Sequence, residues 1–173
     1  MLRALTLSSL IAFSPVAFSG QSFESWVISR SGGELTPAQA KRLIRDTREC
    51  SSRHGVPEKL VWQVMATESS FDKRAVSSAG AQGLMQVMRR WHPEKVKGQS
   101  LFNQKVNVCV GSQILAQYLD QYGTVRKALH AYNGLHGRPG VYARKVLSVK
   151  VPPLAGVILS GPEGAYRDRI ALR

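Results

Sequence analysis

The chain has 173 residues, 43% of them hydrophobic and 20% charged, enough for one compact domain with its own core. Lysine and arginine number 24 against 11 acidic residues, a formal net charge of +13. That excess favours polyanionic surroundings such as nucleic acid, anionic lipid or an acidic cell-wall matrix, but no basic run is interleaved with aromatics, so no nucleic-acid partner is expected.

The opening stretch, MLRALTLSSLIAFSPVAFSGQS, carries Arg3, then an apolar run, then Ala17-Phe18-Ser19. This pattern predicts a signal peptide over residues 1–19, cleaved after Ser19, with an uncleaved N-terminal anchor as the alternative. Ser8, Ser9, Ser14 and Pro15 interrupt the run, which is short for a spanning helix, so no stable transmembrane span is expected after cleavage. Export of this kind delivers the chain to the periplasm or cell envelope. Residues 20–35 read as an irregular leader ending in Gly32-Gly33.

A mainly α domain is expected over residues 36–150. Thr36-Pro37 is a helix start, a capping hydroxyl before a proline at the first helical position; this helix should reach about Arg53 and stop at Gly55. Pro57 opens a second helix, VPEKLVWQVMATES. A polar, glycine-containing loop follows from about Phe71 to Gln82, and GLMQVMRRW reads as a short third helix stopped before Pro93. Val106, Val110, Ile114, Leu115 and Leu119 share one face of a long helix from Asn103 to Tyr122, ended by Gly123. Val125 to Tyr132 forms another helix, and Pro139 begins the last, VYARKVLSVK. Residues 151–173 are a tail containing Pro and Gly, expected to be extended or partly disordered and a candidate for partner binding. No strand and no internal repeat is evident.

Cys50 and Cys109 are the only cysteines, a pair that can bridge in an oxidising compartment or remain as two separate buried thiols. Neither has a partner at metal-ligand spacing, so no zinc or other metal site is expected. Nucleotide and flavin signatures are also missing, and no cofactor is expected.

One residue breaks its pattern. Leu60, Val61, Val64 and Met65 form the apolar stripe of the second helix, and Glu68 falls on the same stripe, four residues after Val64 and three after Met65. It also lies in the last turn, at the negative end of the helix dipole. Desolvation and dipole both disfavour the carboxylate and push its pKa up, as a general acid requires. The plain alternative is a structural glutamate at a fraying helix end, paired with Lys73 or Arg74. Further along, Gln86 can donate and accept hydrogen bonds, and Tyr132-Asn133 set an aromatic ring beside an amide at a helix end. Such groups suit an acetamido sugar, although each fragment alone reads as ordinary core and cap. Trp62 and Trp91 are read as aromatic core, and His136 as a solvent-exposed loop residue.

In this order, Glu68-Ser69, Ser77, Gly80-Ala81, Gly83-Leu84-Met85-Gln86, Asn107, Gly111 and Ala131-Tyr132-Asn133 resemble the catalytic domain of the soluble lytic transglycosylases of family 1, over about residues 50 to 147. The resemblance implies a lysozyme-like (goose-type), mainly α fold acting on peptidoglycan glycan strands, and makes residues 36–150 a catalytic domain. Glu68 matches the family's catalytic glutamate. It would protonate the glycosidic oxygen between MurNAc and GlcNAc, with help from the substrate's 2-acetamido group, and then accept a proton from the C6 hydroxyl to leave a 1,6-anhydro product. Ser77, Gln86, Met88 and Tyr132 match positions that line the sugar site or support the acid, and Asn133 joins them as substrate-binding. The carboxylate census agrees: hydrolytic glycosidases use two, whereas Asp72, the nearest in sequence, falls in a polar loop.

Three positions depart from the family pattern. Arg89 stands where proline is usual, Ile114 replaces a tyrosine, and Asn133-Gly134-Leu135-His136-Gly137 replaces the usual Asn-Ala-Gly-Pro-Gly. Two rivals stay open: a hydrolytic muramidase of the same fold, and a non-catalytic wall-binding component of a secretion, conjugation or phage-entry apparatus.

Overall fold

The computed structural model describes residues 22–135 and 137–154; the expected signal peptide, His136 and the tail beyond residue 154 lie outside them. Among the described residues seven α-helices follow one another: α1 Phe23–Arg30, α2 Pro37–His54, α3 Glu58–Glu68, α4 Pro93–Val96, α5 Gln104–Tyr122, α6 Val125–Tyr132 and α7 Val141–Leu147. Among the described residues the only β-type pairing is two isolated bridges, Val76 with Gln82 and Gln82 with Val87. The domain is therefore mainly α, as expected.

Helix ends follow their local chemistry. Thr36 accepts from the Gln39 amide while the Gln39 side chain accepts from the Thr36 amide, a reciprocal capping box in front of Pro37. Gly55 and Gly123 close α2 and α5 in the left-handed conformation that glycine adopts without a Cβ penalty.

The long α5 is the axis of the domain, packed against α2 on one side and α6 on the other. Its Val108, Ile114, Leu115 and Leu119 join Leu43 of α2, Val61, Val64 and Met65 of α3, and Leu129 of α6 in one buried cluster. Cys50 of α2 and Cys109 of α5 form a disulfide, closing a sequence separation of 59 residues. The Glu49 carboxylate beside it takes Arg53 at 2.6 Å and Lys105 at 2.8 Å. These exposed pairs add little to stability.

Three local expectations change. The segment read as an irregular leader contains α1, capped by Ser22 and carrying Glu24 in its first turn and Arg30 in its last. Its periodicity is too brief to show in the sequence. Burial of Trp26 and Val27 holds it: Trp26 meets Phe71 and Trp62 edge to face at 5.5 and 6.3 Å. The stretch GLMQVMRRW is not a helix but a series of turns, with a single 3-10 turn at Arg89–Trp91. Gly83 and Gln86 both have positive φ (73° and 49°), and Gln82 and Val87 exchange backbone hydrogen bonds, which no helix allows. Finally, Trp62 is core but Trp91 is 65% exposed.

Candidate active site

The α3 helix delivers Glu68 as its last residue, and the chain then reverses sharply. Ser70 and Phe71 both occupy the left-handed region, at φ 50° and 68°, unusual for residues with a Cβ. The reversal is held because Phe71 is 1% exposed, its ring set edge-on against Trp26 and Trp62. An aromatic anchor thus fixes the chain three residues after Glu68.

Glu68 is half-buried. Tyr142 of α7 donates its hydroxyl to Glu68 Oε1 in a short hydrogen bond. Burial raises the Glu68 pKa above the ordinary carboxylate value, while the Tyr142 bond and the positive charge of Lys145 pull it partly back. The alternative partners Lys73 and Arg74 form no ion pair with Glu68 among the described residues. Tyr142 itself is pushed far up by burial and by the negative charge of Glu68, so it stays a donor. Helix α7 is docked on α3 by the buried Gln63, whose Nε2 donates to the carbonyls of Leu147 and Val149 at 3.4 and 3.0 Å. That docking sets Tyr142 opposite Glu68.

The wall beside Glu68 is the loop from Ala75 to Met88, and three side chains converge on its consecutive residues Leu84 and Met85. Ser69, next to Glu68, donates to the Leu84 carbonyl at 2.8 Å. Tyr132, at the end of α6, donates to the Met85 carbonyl at 2.9 Å. Asn107, 1% exposed in α5, accepts from the Met85 amide at 2.8 Å and donates to the carbonyls of Gln82 and Leu101 at 2.8 and 2.9 Å.

Two glycines make this possible. A Cβ on Gly83 would meet Asn107 Nδ2 at 2.4 Å and the Leu101 oxygen at 2.5 Å, and one on Gly111 would meet the Met85 sulfur at 2.5 Å. Asn107 and Gly111, which the sequence presented only as parts of a pattern, are thus the clamp and the gap that seat the loop on α5.

The other expected site residues distribute as follows. Gln86 donates through Nε2 to the Ala75 and Gly83 carbonyls at 3.2 and 3.0 Å, bonds that leave its Oε1 acceptor unused. Ser77 Oγ accepts from the Ala81 amide at 3.0 Å and shapes the loop's tip. Met88, half-buried, precedes the 3-10 turn, and Asn133 caps α6, its amide donating to the Leu129 carbonyl at 3.1 Å. Tyr132 lies close enough to Glu68 for the carboxylate's charge to raise its pKa, second to the effect of its own burial.

The direct support of the acid is therefore Tyr142, which sequence reasoning did not single out. Nothing local marks it; VYARKVL reads as an ordinary amphipathic helix.

Four other carboxylates of the central region are committed elsewhere, while Asp72 and Asp120 lie exposed on the surface. Asp46 accepts from Gln104 Nε2 at 2.7 Å, Glu58 accepts from the Trp62 indole at 3.1 Å and lies 3.5 Å from Arg48, Glu49 is bridged by two cations, and Glu94 is bound by Lys95. Glu68 is the carboxylate whose pKa burial raises.

The family model described as the transglycosylase SLT domain matches residues 47–148, more than half of the chain. This chain belongs to the SLT transglycosylase domain family. Among curated relatives, the "Transglycosylase" of Enterobacteria phage PRD1 is 38% identical over 87 residues, covering 49% of this chain and 31% of the relative. "Membrane-bound lytic murein transglycosylase C" of Edwardsiella ictaluri (strain 93-146) is 34% identical over 114 residues, covering 56% of this chain and 32% of the relative. The protein of that name from Yersinia pestis (strain Pestoides F) is 32% identical over the same length and shares. This SLT domain protein thus spans about a third of the length of the curated relatives it matches. Its matched region holds Glu68, the clamped loop, Tyr132 and Tyr142. No helix among the described residues is long and apolar enough to cross a membrane.

Proposed function

We propose that the protein is an exported peptidoglycan lytic transglycosylase, cleaving the β-1,4 bond between MurNAc and GlcNAc with formation of 1,6-anhydro-MurNAc. The observation that carries this reading is the half-buried Glu68, raised in pKa by burial and held by Tyr142, with Asp46, Glu49, Glu58 and Glu94 engaged away from it. Most hydrolytic glycosidases use a second carboxylate to drive or stabilise attack. A one-carboxylate site suits a reaction in which the substrate supplies its own nucleophile.

Glu68 in its protonated form donates to the leaving glycosidic oxygen, and the bond to the anomeric carbon breaks with assistance from the 2-acetamido group. The resulting carboxylate then takes the proton of the C6 hydroxyl as that oxygen closes on the anomeric carbon. No water enters. One group must act as acid and then base, so its pKa should sit near the working pH rather than at the usual carboxylate value. Tyr142 stabilises the carboxylate between the two steps. Gln86 Oε1, Met88, Tyr132, Ser77 and Asn133 are the residues assigned to the sugar and its N-acetyl group.

The names of the relatives support placement in the cell envelope, after removal of residues 1–19. A role in opening the wall for a secretion, conjugation or phage-entry apparatus is compatible with the phage relative.

The test is mass spectrometry of soluble products from purified sacculi, comparing wild type with Glu68→Gln. Anhydro-muropeptides from the wild type alone support the reading. Products one water heavier, with reducing ends, replace it with a muramidase. No product from either leaves a wall-binding component.

A further inference from the structure

A surface groove of about 530 Å³ lies between the C-terminal end of α2, the N-terminal half of α5 and the segment around residues 94–103. It shares no residue with the Glu68 site. Four cations line it, Arg53, Lys95, Lys97 and Lys105, against one lining carboxylate, Glu94. Glu94 is bonded to Lys95 at 2.6 Å, and Glu49, outside the lining, bridges Arg53 and Lys105. With both carboxylates counted, four positive charges still face two negative ones. Lys97 is exposed and forms no ion pair among the described residues. The local field is felt by His54 in the same groove, whose pKa is lowered by burial and then by Arg53.

Beside this basic hollow the chain exposes two aromatic rings. Trp91 is 65% exposed with the Arg90 guanidinium 5.2 Å from its ring centroid, and Phe102 is 41% exposed. The turn bearing Trp91 is tied to the groove wall, because Arg89 Nη2 donates to the carbonyl of Gln99, a lining residue, at 2.7 Å. Arg89 is the residue that stands where the family pattern has proline. Phe102 precedes Asn103, another lining residue.

Exposed aromatics beside unneutralised cations suit a boundary between anionic headgroups and apolar chains, where an amphipathic indole has its preferred depth. We propose that this face docks the domain on an anionic lipid membrane, the groove receiving phosphate-bearing headgroups and Trp91 and Phe102 entering the interface. The inference is independent of the catalytic reading, because its readout is binding without cleavage.

The experiment is co-sedimentation of the full chain with vesicles of phosphatidylglycerol and phosphatidylcholine, against vesicles of phosphatidylcholine alone, at fixed salt. Trp26 and Trp62 are already buried, so a blue shift of tryptophan emission on binding reports Trp91. Lys97→Gln/Lys105→Gln should weaken binding to the anionic vesicles about thirtyfold, since each cation near an anionic surface contributes roughly a fivefold factor. The matched pair Arg126→Gln/Lys127→Gln, on the exposed surface of α6, should change it less than about threefold. Lys97→Gln alone, which removes no ion pair, gives about fivefold should the double variant unfold. Equal losses from the two double variants would reduce the effect to diffuse charge and overturn the proposal. So would equal binding to the neutral vesicles, or binding without a blue shift.

Discussion

Tyr142 of α7 donates its phenolic hydrogen to Glu68 at the end of α3, across 74 residues of sequence. The pair sets two opposing effects on one carboxyl group: burial favours the neutral acid, and the Tyr142 bond favours the anion. The acid-then-base role proposed for Glu68 is served by such a balance.

Glu68→Gln should abolish anhydro-product formation, with a loss on the order of a hundredfold to ten-thousandfold from removing the acid–base group. It should also leave the fold intact and more stable at neutral pH. The pKa of Glu68 is raised in the folded protein, so ionising it there is harder than in the unfolded chain. Wild-type stability is therefore undiminished below the unfolded pKa and falls as pH rises through the higher folded value. Thermal unfolding from pH 4 to 8 checks this: the glutamine variant should gain on the wild type toward neutral pH and coincide with it in acid.

Tyr142→Phe deletes one bond and little volume. Loss of a donor to the carboxylate raises the Glu68 pKa further, so the limb of the pH–rate profile assigned to that group should move to higher pH. Misplacement of the freed carboxyl should cost up to about a hundredfold in rate. Tyr132→Phe supplies the contrast. It cuts the bond to the Met85 carbonyl, and its main effect should fall on KM through the loop. Profiles that do not move for Tyr142→Phe would remove it from the acid's support.

Asn107→Leu should be among the most destabilising single changes. It leaves the Met85 amide and the Gln82 and Leu101 carbonyls without their side-chain partner in the interior. The Gln82 carbonyl keeps its bond from the Val87 amide, so two buried groups are left unsatisfied; at about 1–3 kcal/mol each, a loss of at least about 2 kcal/mol is expected in chemical denaturation. Gly111→Ala tests the same seat from the steric side, because its Cβ would strike the Met85 side chain. The Met85 sulfur can swing aside, but its Cβ, 2.7 Å from the new methyl, moves only with the backbone, so the loop must shift at a cost of about 1–3 kcal/mol.

Removing the disulfide with Cys50→Ala/Cys109→Ala opens a loop of 59 residues. Chain entropy assigns that closure about 4 kcal/mol, so the midpoint of denaturant unfolding should fall while the Glu68 site keeps its pH profile. A variant as stable as the wild type would show that the α2–α5 packing carries the interface alone.

Much of the helical frame was legible because its signals are local. Thr36-Pro37, Gly55 and Gly123 mark helix ends through backbone geometry within a few residues, and the apolar spacing of α5 records one buried face. Glu68 was legible for the same reason: a carboxylate on the stripe of Leu60, Val61, Val64 and Met65 contradicts its own neighbourhood. The errors also share a cause. Leu84, Met85 and Val87 carry helix-like spacing, yet Asn107 captures the Met85 amide and turns the chain another way. Helix α1 is too short to show a period and exists through the rings its Trp26 meets. Helices and a desolvated carboxylic acid can be written in ten or twenty residues, since caps, periodicity and desolvation act over a turn or two. The partner of that acid cannot, because a hydrogen bond from Tyr142 arises only when the buried Gln63 and the apolar faces of α3 and α7 bring two distant segments to the same place.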